Sequence, residues 1–532
     1  MSTPSSPIST PKGGGAQSGL GEKFSPDLFT GTGNFSVPIA LPPGRNGFQP
    51  EISLQYSTGS GNGPFGLGWN LSIPGVTRKT DKGIPKYDNE KDVFILSGAE
   101  DLVPAEKADN WVRYQPRTEG LFAKIYHFLD GENDYWQVFS KDGLKSWYGT
   151  PGMKGTDLAV VADPANRNKI FSWRLTKTED VFGNHILYEY ERDVVQSDDY
   201  HEWDQNYLKN IFYGDYSLSP FGGVGGGYMI RVEFVYEPRP DPFSGCKSGF
   251  EIRTVQRCTR INIYTNPASG EIHTRSYHFR YQDFLQENGQ PILATADQPA
   301  NGTSLLCRVD VEGHDGDDSE QLPPLDFRYS QFKPNTQKFR KLEGNDLPLA
   351  SLSTPGYEMI DLFGNGLPDI VEVNGVVRYW RNLGDGRFDM PKMMKEAPTG
   401  ISLQDPNIQL IDANGDGRTD LLVNTPQISG YFSTTFNASW DTKSFKKYKQ
   451  APSFSLSDPE VKLIDLDGDG VTDAIRSGSS FECFFNDKND GWKEATRVQR
   501  KQIERFPNTG FSDLRIKWAD MNGDGLQDII LV

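Results

Sequence analysis

The chain has 532 residues, room for about three domains at roughly 150 residues each. Its 36% hydrophobic and 24% charged content argue against wholesale disorder, and a net charge of −17 would repel phosphate backbones and anionic bilayers. Nucleic acid is therefore excluded as an expected partner, and with no run near the ~18 apolar residues of a membrane span, this chain is not expected to insert into a membrane.

Residues 1–30 are rich in Ser, Thr, Pro and Gly and read as an arm that is flexible or tied down by a partner. The opening MSTPSSPISTPKGGG lacks the basic start and apolar core of a Sec leader. The expectation is a soluble protein, secreted without a Sec signal or held in the cytoplasm before release.

From 31 to 340, short period-2 runs recur: Phe35, Val37, Ile39, Leu41; Ile52, Leu54, Tyr56; Ile230, Val232, Phe234; Tyr277, Phe279, Tyr281. Each sends one face inward and one toward solvent, with turn signals such as Asp142-Gly143 and Gly183-Asn184 between them. Helical periodicity is scarce, so this domain is expected to be all-β, a large antiparallel sheet. The cysteines at 246, 258, 307 and 483 are too sparse for a disulfide scaffold and read as buried thiols, with Cys246 to Cys258 the one bridge left open.

Beyond a polar break near 331–347, residues 345–532 become periodic, with repeats starting near 355, 406, 459 and 514. The copies read DLFGNGLPD from Asp361, DANGDGRTD from Asp412, DLDGDGVTD from Asp465 and DMNGDGLQD from Asp520, at intervals of 51, 53 and 55 residues. A period near 50 fits a propeller blade of four short strands. The apolar run after each motif is expected to be the inner strand, and aromatic stretches such as Val377–Trp380 and Phe481–Phe485 the next.

In the last three copies oxygen-bearing side chains stand at positions 1, 3, 5 and 9, with glycines at 4 and 6 that let the backbone curl around one point. A hard cation makes that demand. Calcium, taking six to eight oxygens, fits Asp412, Asn414, Asp416 and Asp420 with the Arg418 carbonyl, and likewise Asp465, Asp467, Asp469, Asp473 with Val471, and Asp520, Asn522, Asp524, Asp528 with Leu526. An EF-hand is excluded because position 12 of the second copy is Val423 and β-type residues follow. The alternative is a set of metal-free turns whose carboxylates accept backbone N–H bonds. The first copy, with Phe363 at position 3 and Asn365 at position 5, is read as such a turn. In either case the role is structural, since a fully ligated calcium leaves no open position for chemistry.

Catalytic signatures fail. There is no phosphate loop and no G-x-S-x-G elbow, and His201-Glu202 lacks the second histidine of a zincin. Gly61-Asn-Gly-Pro-Phe-Gly66 spells G-x-G-x-x-G, but Pro64 and a strand-like segment follow, so it reads as a turn. The six histidines look scattered and receive no role. No enzyme is expected.

Pro11-Lys-Gly-Gly-Gly15, Gly33-Asn-Phe-Ser-Val-Pro-Ile39, Pro50-Glu-Ile-Ser-Leu-Gln-Tyr56 and Gly63-Pro-Phe-Gly-Leu-Gly-Trp69 together resemble the N-terminal region shared by Salmonella virulence plasmid protein B and the B subunits of bacterial insecticidal toxin complexes. The likeness continues through Trp173-Arg-Leu175, Asp180-Val-Phe-Gly-Asn184, Gly249-Phe-Glu-Ile-Arg-Thr254 and the aspartate repeats. It implies a B-like subunit that joins a C-like Rhs-repeat subunit in a hollow β-shell around a toxic segment, while its propeller docks on and gates an A-like channel subunit. The chain stops at Val532, read here as lying within the first strand of the fourth repeat, which predicts an incomplete propeller and a fragment of a longer gene.

Two other readings stay open. One is the targeting region of an ADP-ribosyltransferase toxin, whose Arg, Ser-Thr-Ser and Glu-x-Glu order this chain does not reproduce: Glu189-Tyr-Glu191 precedes Ser351-Leu-Ser-Thr354. The other is a calcium-stabilised adhesion propeller.

Overall fold

The structure, a computed structural model, describes residues 22–532 apart from 27–32, 82, 98–100, 119–121, 194, 218–225, 267–269, 283–285, 288–289, 292–301, 331–337, 426, 500–508 and 523. Residues 1–21, most of the expected N-terminal arm, lie outside it. The chain divides into two compact units, Met1–Lys79 with Pro85–Phe332 and Thr80–Ile84 with Lys333–Val532. Both are built mainly from antiparallel strands, the pair Glu343–Gly344 with Arg387–Phe388 being parallel, and among the described residues no helix is long and apolar enough to cross a membrane.

The first unit opens with a four-stranded sheet, β1 (Lys23–Pro26), β2 (Gly33–Pro38), β3 (Ser53–Ser57) and β4 (Trp69–Leu71), paired in chain order. Then come β5 (Gly75–Arg78), β6 (Phe94–Leu96), β7 (Asp101–Lys107), β8 (Trp111–Pro116), β9 (Lys124–Asp130), β10 (Asn133–Phe139) and β11 (Lys145–Tyr148). Each pairs with the next, β11 pairs with β13 (Ile170–Glu179), and β13 returns to β5 through Ser172↔Thr77 and Trp173↔Val76. Eight strands therefore close into a ring, and the short β12 (Val160–Ala162) pairs with β13 beside it.

Strand β10 shows how sequence makes this ring. Asp134, Trp136 and Val138 are buried, while Asn133, Tyr135, Gln137 and Phe139 alternate with them toward the other face. The interior is filled: Phe94 lies 4.9 Å from Trp136 and 5.9 Å from Trp173, and His127 stacks on Trp136 at 4.0 Å. Each such aromatic contributes about 1.5–3 kcal/mol by burial.

Strand β13 also begins a long meander, since Lys177–Glu179 pairs on its other side with β14 (His185–Arg192). β15 (Asn206–Ser217), β16 (Gly226–Gly245), β17 (Ile252–Thr265), β18 (Ile272–Tyr281) and the strand Leu306–Asp315 follow in order. Glu189 and Glu191 sit on β14, where Glu189 accepts from Asn210 Nδ2 at 3.2 Å and Glu191 pairs with Lys209 at 3.3 Å. Cys246 and Cys258 are not bridged, and Cys258, wholly buried, donates its thiol to the Arg260 carbonyl.

The Gly61–Gly66 segment is a turn. Gly66 N–H donates to the Gly63 carbonyl at 3.0 Å, and the fully buried Arg239 guanidinium holds the Gly63 carbonyl at 3.0 Å while pairing with Asp241 at 2.9 Å. Gly66 is required as glycine: its φ is +87°, and a Cβ there would meet the Ser304 carbonyl oxygen at 2.7 Å.

Among the described residues the second unit carries three four-stranded sheets. The first is Tyr357–Ile360, Asp369–Val373, Val377–Trp380 and Lys392–Met393, the second Ile408–Ile411, Asp420–Asn424, Ser429–Phe432 and Phe445–Lys447. The third is Val461–Ile464, Asp473–Arg476, Ser480–Phe484 and Thr496–Gln499, and a two-stranded sheet, Ile516–Ala519 and Asp528–Leu531, follows. Neighbouring sheets share cores in the manner of propeller blades. Leu421 and Val423 of the second sheet pack with Val371 and Val373 of the first, whereas Leu422 and Tyr431 pack with Ala474 and Phe484 of the third.

Two sequence expectations are corrected by this arrangement. The apolar run after each motif is the second strand of its sheet, and in the three four-stranded sheets it is hydrogen-bonded on both sides, so there it is not the inner strand, which must lie at a sheet edge. In the second sheet Leu421–Val423 is continuously apolar because both faces are covered by adjacent blades. Val532 likewise follows the second strand of the last repeat, because Ile516–Ala519, ahead of the motif, is already a strand.

Candidate functional site

The aspartate motifs are the loops joining the first and second strands of the four sheets, and they share one hydrogen-bond framework. The carboxylate at position 1 accepts from the backbone N–H at position 6: Gly366 to Asp361 at 2.6 Å, Gly417 to Asp412 at 2.8 Å, Gly470 to Asp465 at 2.9 Å and Gly525 to Asp520 at 2.8 Å. Position 5 accepts from position 7: Leu367 to Asn365, Arg418 to Asp416, Val471 to Asp469 and Leu526 to Asp524, between 2.7 and 3.0 Å. Residues 418, 471 and 526 thus enter these bonds through their N–H groups.

The carboxylate at position 9 reaches furthest. One oxygen accepts from position 2, as Leu362 to Asp369 at 3.1 Å, Ala413 to Asp420 at 3.3 Å, Leu466 to Asp473 at 3.0 Å and Met521 to Asp528 at 2.8 Å. In the three four-stranded sheets the other accepts from just past the third strand: Asn382, Thr434 and Asn486, at 2.7, 2.7 and 2.8 Å. Asp369, Asp420 and Asp473 are buried. Burial pushes Asp420 and Asp473 up to about 7, with the nearby carboxylates of their loops adding to the rise, and it raises Asp369 too.

The loops differ at position 3. In the first, Phe363 packs on Tyr379 at 5.7 Å beneath the Arg381 guanidinium, 4.5 Å from its ring. In the second and fourth, the Asn414 and Asn522 amides donate Nδ2–H to Asp416 and Asp524 at 3.1 and 3.2 Å, a neutral donor beside the carboxylate. Asp467 of the third loop has no such proton to give. There the carboxylates of Asp465, Asp467 and Asp473 come within 4.8 Å of one another, the one group of this kind among the described residues. The third loop offers a cation the most negative charge and the first offers it none at position 3.

Sequence reasoning passed over the histidines. His127 is fully buried in the ring and bonds Asp134 through Nε2 at 2.9 Å, and burial lowers its proton affinity. His273, His278 and His314, scattered in sequence, gather on one face of the meander. The signal was available only as strand register: Ser276 pairs with Glu312, which places His278 and His314 on either side of that row.

Residues 28–220 match the family described as Salmonella virulence plasmid 65kDa B protein, and residues 361–423 match an FG-GAP-like repeat. The chain is 28% identical over 376 residues to the Mono(ADP-ribosyl)transferase SpvB of Salmonella choleraesuis (strain SC-B67), covering 60% of this chain and 58% of that protein. Against the same-named protein of Salmonella typhimurium it is 28% identical over 311 residues, 48% of this chain and 50% of the relative. The chain thus spans only half or somewhat more of these relatives.

Among solved structures, a chain of the Photorhabdus luminescens Tc holotoxin pore superposes with a TM-score of 0.79 at 25% identity, covering 99% of this chain and 26% of that one. TcdB2-TccC3 shares the fold, with a TM-score of 0.58 at 21% identity over 99% of this chain and 32% of the other. Over residues 28–220 the chain is similar to the family of the Salmonella virulence plasmid 65kDa B protein.

Proposed function

We propose that this chain is a non-enzymatic, toxin-complex B-like subunit. In this reading its ring and meander form part of a β-shell that encloses a toxic cargo, and its FG-GAP-like sheets dock on and gate a translocation channel. The observation that carries it is the superposition, at a TM-score of 0.79 over 99% of this chain, on a chain of a Tc holotoxin pore. The physical demands agree. A container secludes an unfolded segment with continuous hydrogen-bonded sheet and needs no reactive side chain, and antiparallel strands joined from β13 to Leu306–Asp315 supply such a wall. A C-like Rhs subunit and an A-like channel subunit are the partners, met after secretion without a Sec signal or assembled in the cytoplasm before release.

Calcium belongs to this proposal as a structural ion. The third loop, with Asp465, Asp467 and Asp473, is its best seat, and the ion would hold a blade turn rigid without taking part in chemistry.

Co-expression with a C-like Rhs subunit tests the reading. A stable complex on size-exclusion chromatography at micromolar concentration, with the partner's C-terminal segment resistant to protease, is expected; separate elution overturns it. The 28% identity to Mono(ADP-ribosyl)transferase SpvB favours a second reading, the targeting region of an ADP-ribosyltransferase toxin. A Ser-Thr-Ser followed by Glu-x-Glu in the sequence encoded after Val532 would favour that reading, and Rhs repeats there the first.

A further inference from the structure

The core face of the meander carries Ile261, Ile263, Tyr277, Phe279, Val309 and Val311. On the opposite face lie Glu233 of β16, Asn262 and Tyr264 of β17, His273, Ser276 and His278 of β18, and Glu312 and His314 of the next strand. A register shift between Ile263 and Tyr264 lets His273 share this face with Ser276.

A line of hydrogen bonds sets the protons here. Asn262 Nδ2 donates to Glu233 Oε2 at 2.9 Å, which leaves Asn262 Oδ1 to accept the Ser276 hydroxyl proton at 3.1 Å. With its one proton so used, Ser276 Oγ turns lone pairs toward His273 Nε2 at 2.9 Å and His314 Nε2 at 3.0 Å. Both rings therefore donate Nε2–H, and Nδ1 is where an added proton must go. The two imidazoles stack at 4.0 Å with 24° between planes, and Tyr264 stacks 4.8 Å from His273.

A metal ion shared by two imidazoles would lie near both ring planes, about 2.1 Å from each nitrogen. Nearly parallel rings 4.0 Å apart offer no such point. The ion this cluster can register is the proton. We propose that His273, His314 and Ser276 form an acid-operated clasp across β17, β18 and Leu306–Asp315, closed while at most one ring is charged and opened by the second proton.

The surrounding charges agree with that order. Glu312 lies on the same strand as His314, two residues before it, and contacts His278 at 3.3 Å. Glu233 faces His273 but is committed to Arg231 at 3.2 Å, to Asn262 and to the Tyr264 hydroxyl, and Arg231 also holds Glu271. Arg260 of β17 opposes charge on His273 and His278, and Arg280, paired with Asp310, opposes it on His278. The neighbouring Asp318–Gln321 strand sets Ser319 opposite His314, between the exposed Asp318 and Glu320. Burial and the facing His314 both lower the proton affinity of His273.

Hydrogen exchange of the full chain at pH 7.5 and 5.0, corrected for intrinsic rates, tests the clasp. Peptides covering 260–265, 272–279 and 308–315 are expected to lose on the order of tenfold more protection in acid than those of β15. His273→Phe keeps a ring in the stack without its charge, and His314→Gln keeps a donor to Ser276. Each should abolish the acid step, whereas His278→Gln should leave it. Equal wild-type protection at both pH values, survival of the step in both first variants, or its loss in His278→Gln overturns the proposal.

Discussion

Replacing Asp467 by Asn reads out whether the third loop holds a cation, because the sign of the effect reverses with the ion. Asp467 shares a 4.8 Å cluster with Asp465 and Asp473. Two unit charges at that separation repel by about 1 kcal/mol at the dielectric of water and by about 3–4 kcal/mol at an effective value near 20. Asn keeps an oxygen for the Asp469 N–H, which Asp467 accepts at 3.3 Å, and reproduces the residue found at position 3 of the second and fourth loops. In chelator at pH 8 the variant should be the more stable by roughly 1–2 kcal/mol, the lower half of that range, which raises the melting temperature of a unit of this size by about 2–8 °C. With calcium at a hundredfold excess over its dissociation constant, wild type should gain about 2.7 kcal/mol, and the variant should gain far less. Differential scanning calorimetry of the full chain in chelator and in calcium measures both arms. A variant less stable in chelator, or two proteins with the same calcium response, would refute the reasoning and leave the loops as metal-free turns.

Three further outcomes follow from the geometry. Gly66→Ala should cost more than Gly47→Ala in thermal unfolding: both have positive φ, worth about 1–2 kcal/mol for a side chain, but a Cβ at 66 meets the Ser304 oxygen at 2.7 Å while the space at 47 is open. Equal losses would remove the contact argument. His127 has its proton affinity lowered by burial, so the unfolded chain takes the proton first, and its stabilising contribution is full above about pH 6.5 and lost as pH falls below that value. Urea midpoints from pH 8 to 5 should decline less steeply in His127→Gln, and parallel curves would contradict this. Glu460 accepts from Phe511 N–H at 2.7 Å and from the Ser477 and Ser512 hydroxyls, so Glu460→Gln should weaken the attachment of the last sheet by about 1–3 kcal/mol, seen as faster amide exchange at 511–518.

Period-2 alternation made the strands legible, and the fixed interval of the aspartate motifs located the sheets of the second unit. Ring closure had no local signature, because it depends on Thr77 meeting Ser172 and on β13 pairing with both the ring and the meander. The histidine clasp was hidden for the same reason, since β18 and Leu306–Asp315 bring residues 273 and 314 together only through register. The inner-strand expectation failed because an unbroken apolar run signals two covered faces, which belong to any strand between blades and not to an edge.

The loops carry a finer lesson about which residues build a turn and which are surplus to it. Position 1 accepts from position 6, and position 9 from position 2, in all four copies, including the first, where Phe363 and Asn365 replace the charges of the third. The fold of the loop is therefore independent of position 3 and of charge at position 5, where a side-chain oxygen that accepts from position 7 is kept in every copy. Charge there is a cost the turn does not require: it places three carboxylates within 4.8 Å in the third copy and adds to the rise to about 7 that burial chiefly gives Asp473. The first copy dispenses with that charge and sets Arg381 over Phe363, while the second and fourth soften it with an asparagine amide. A bound cation is the one counterpart that would turn the surplus of the third loop into stability, which is why the sign of the Asp467→Asn effect, and not its size, decides the matter.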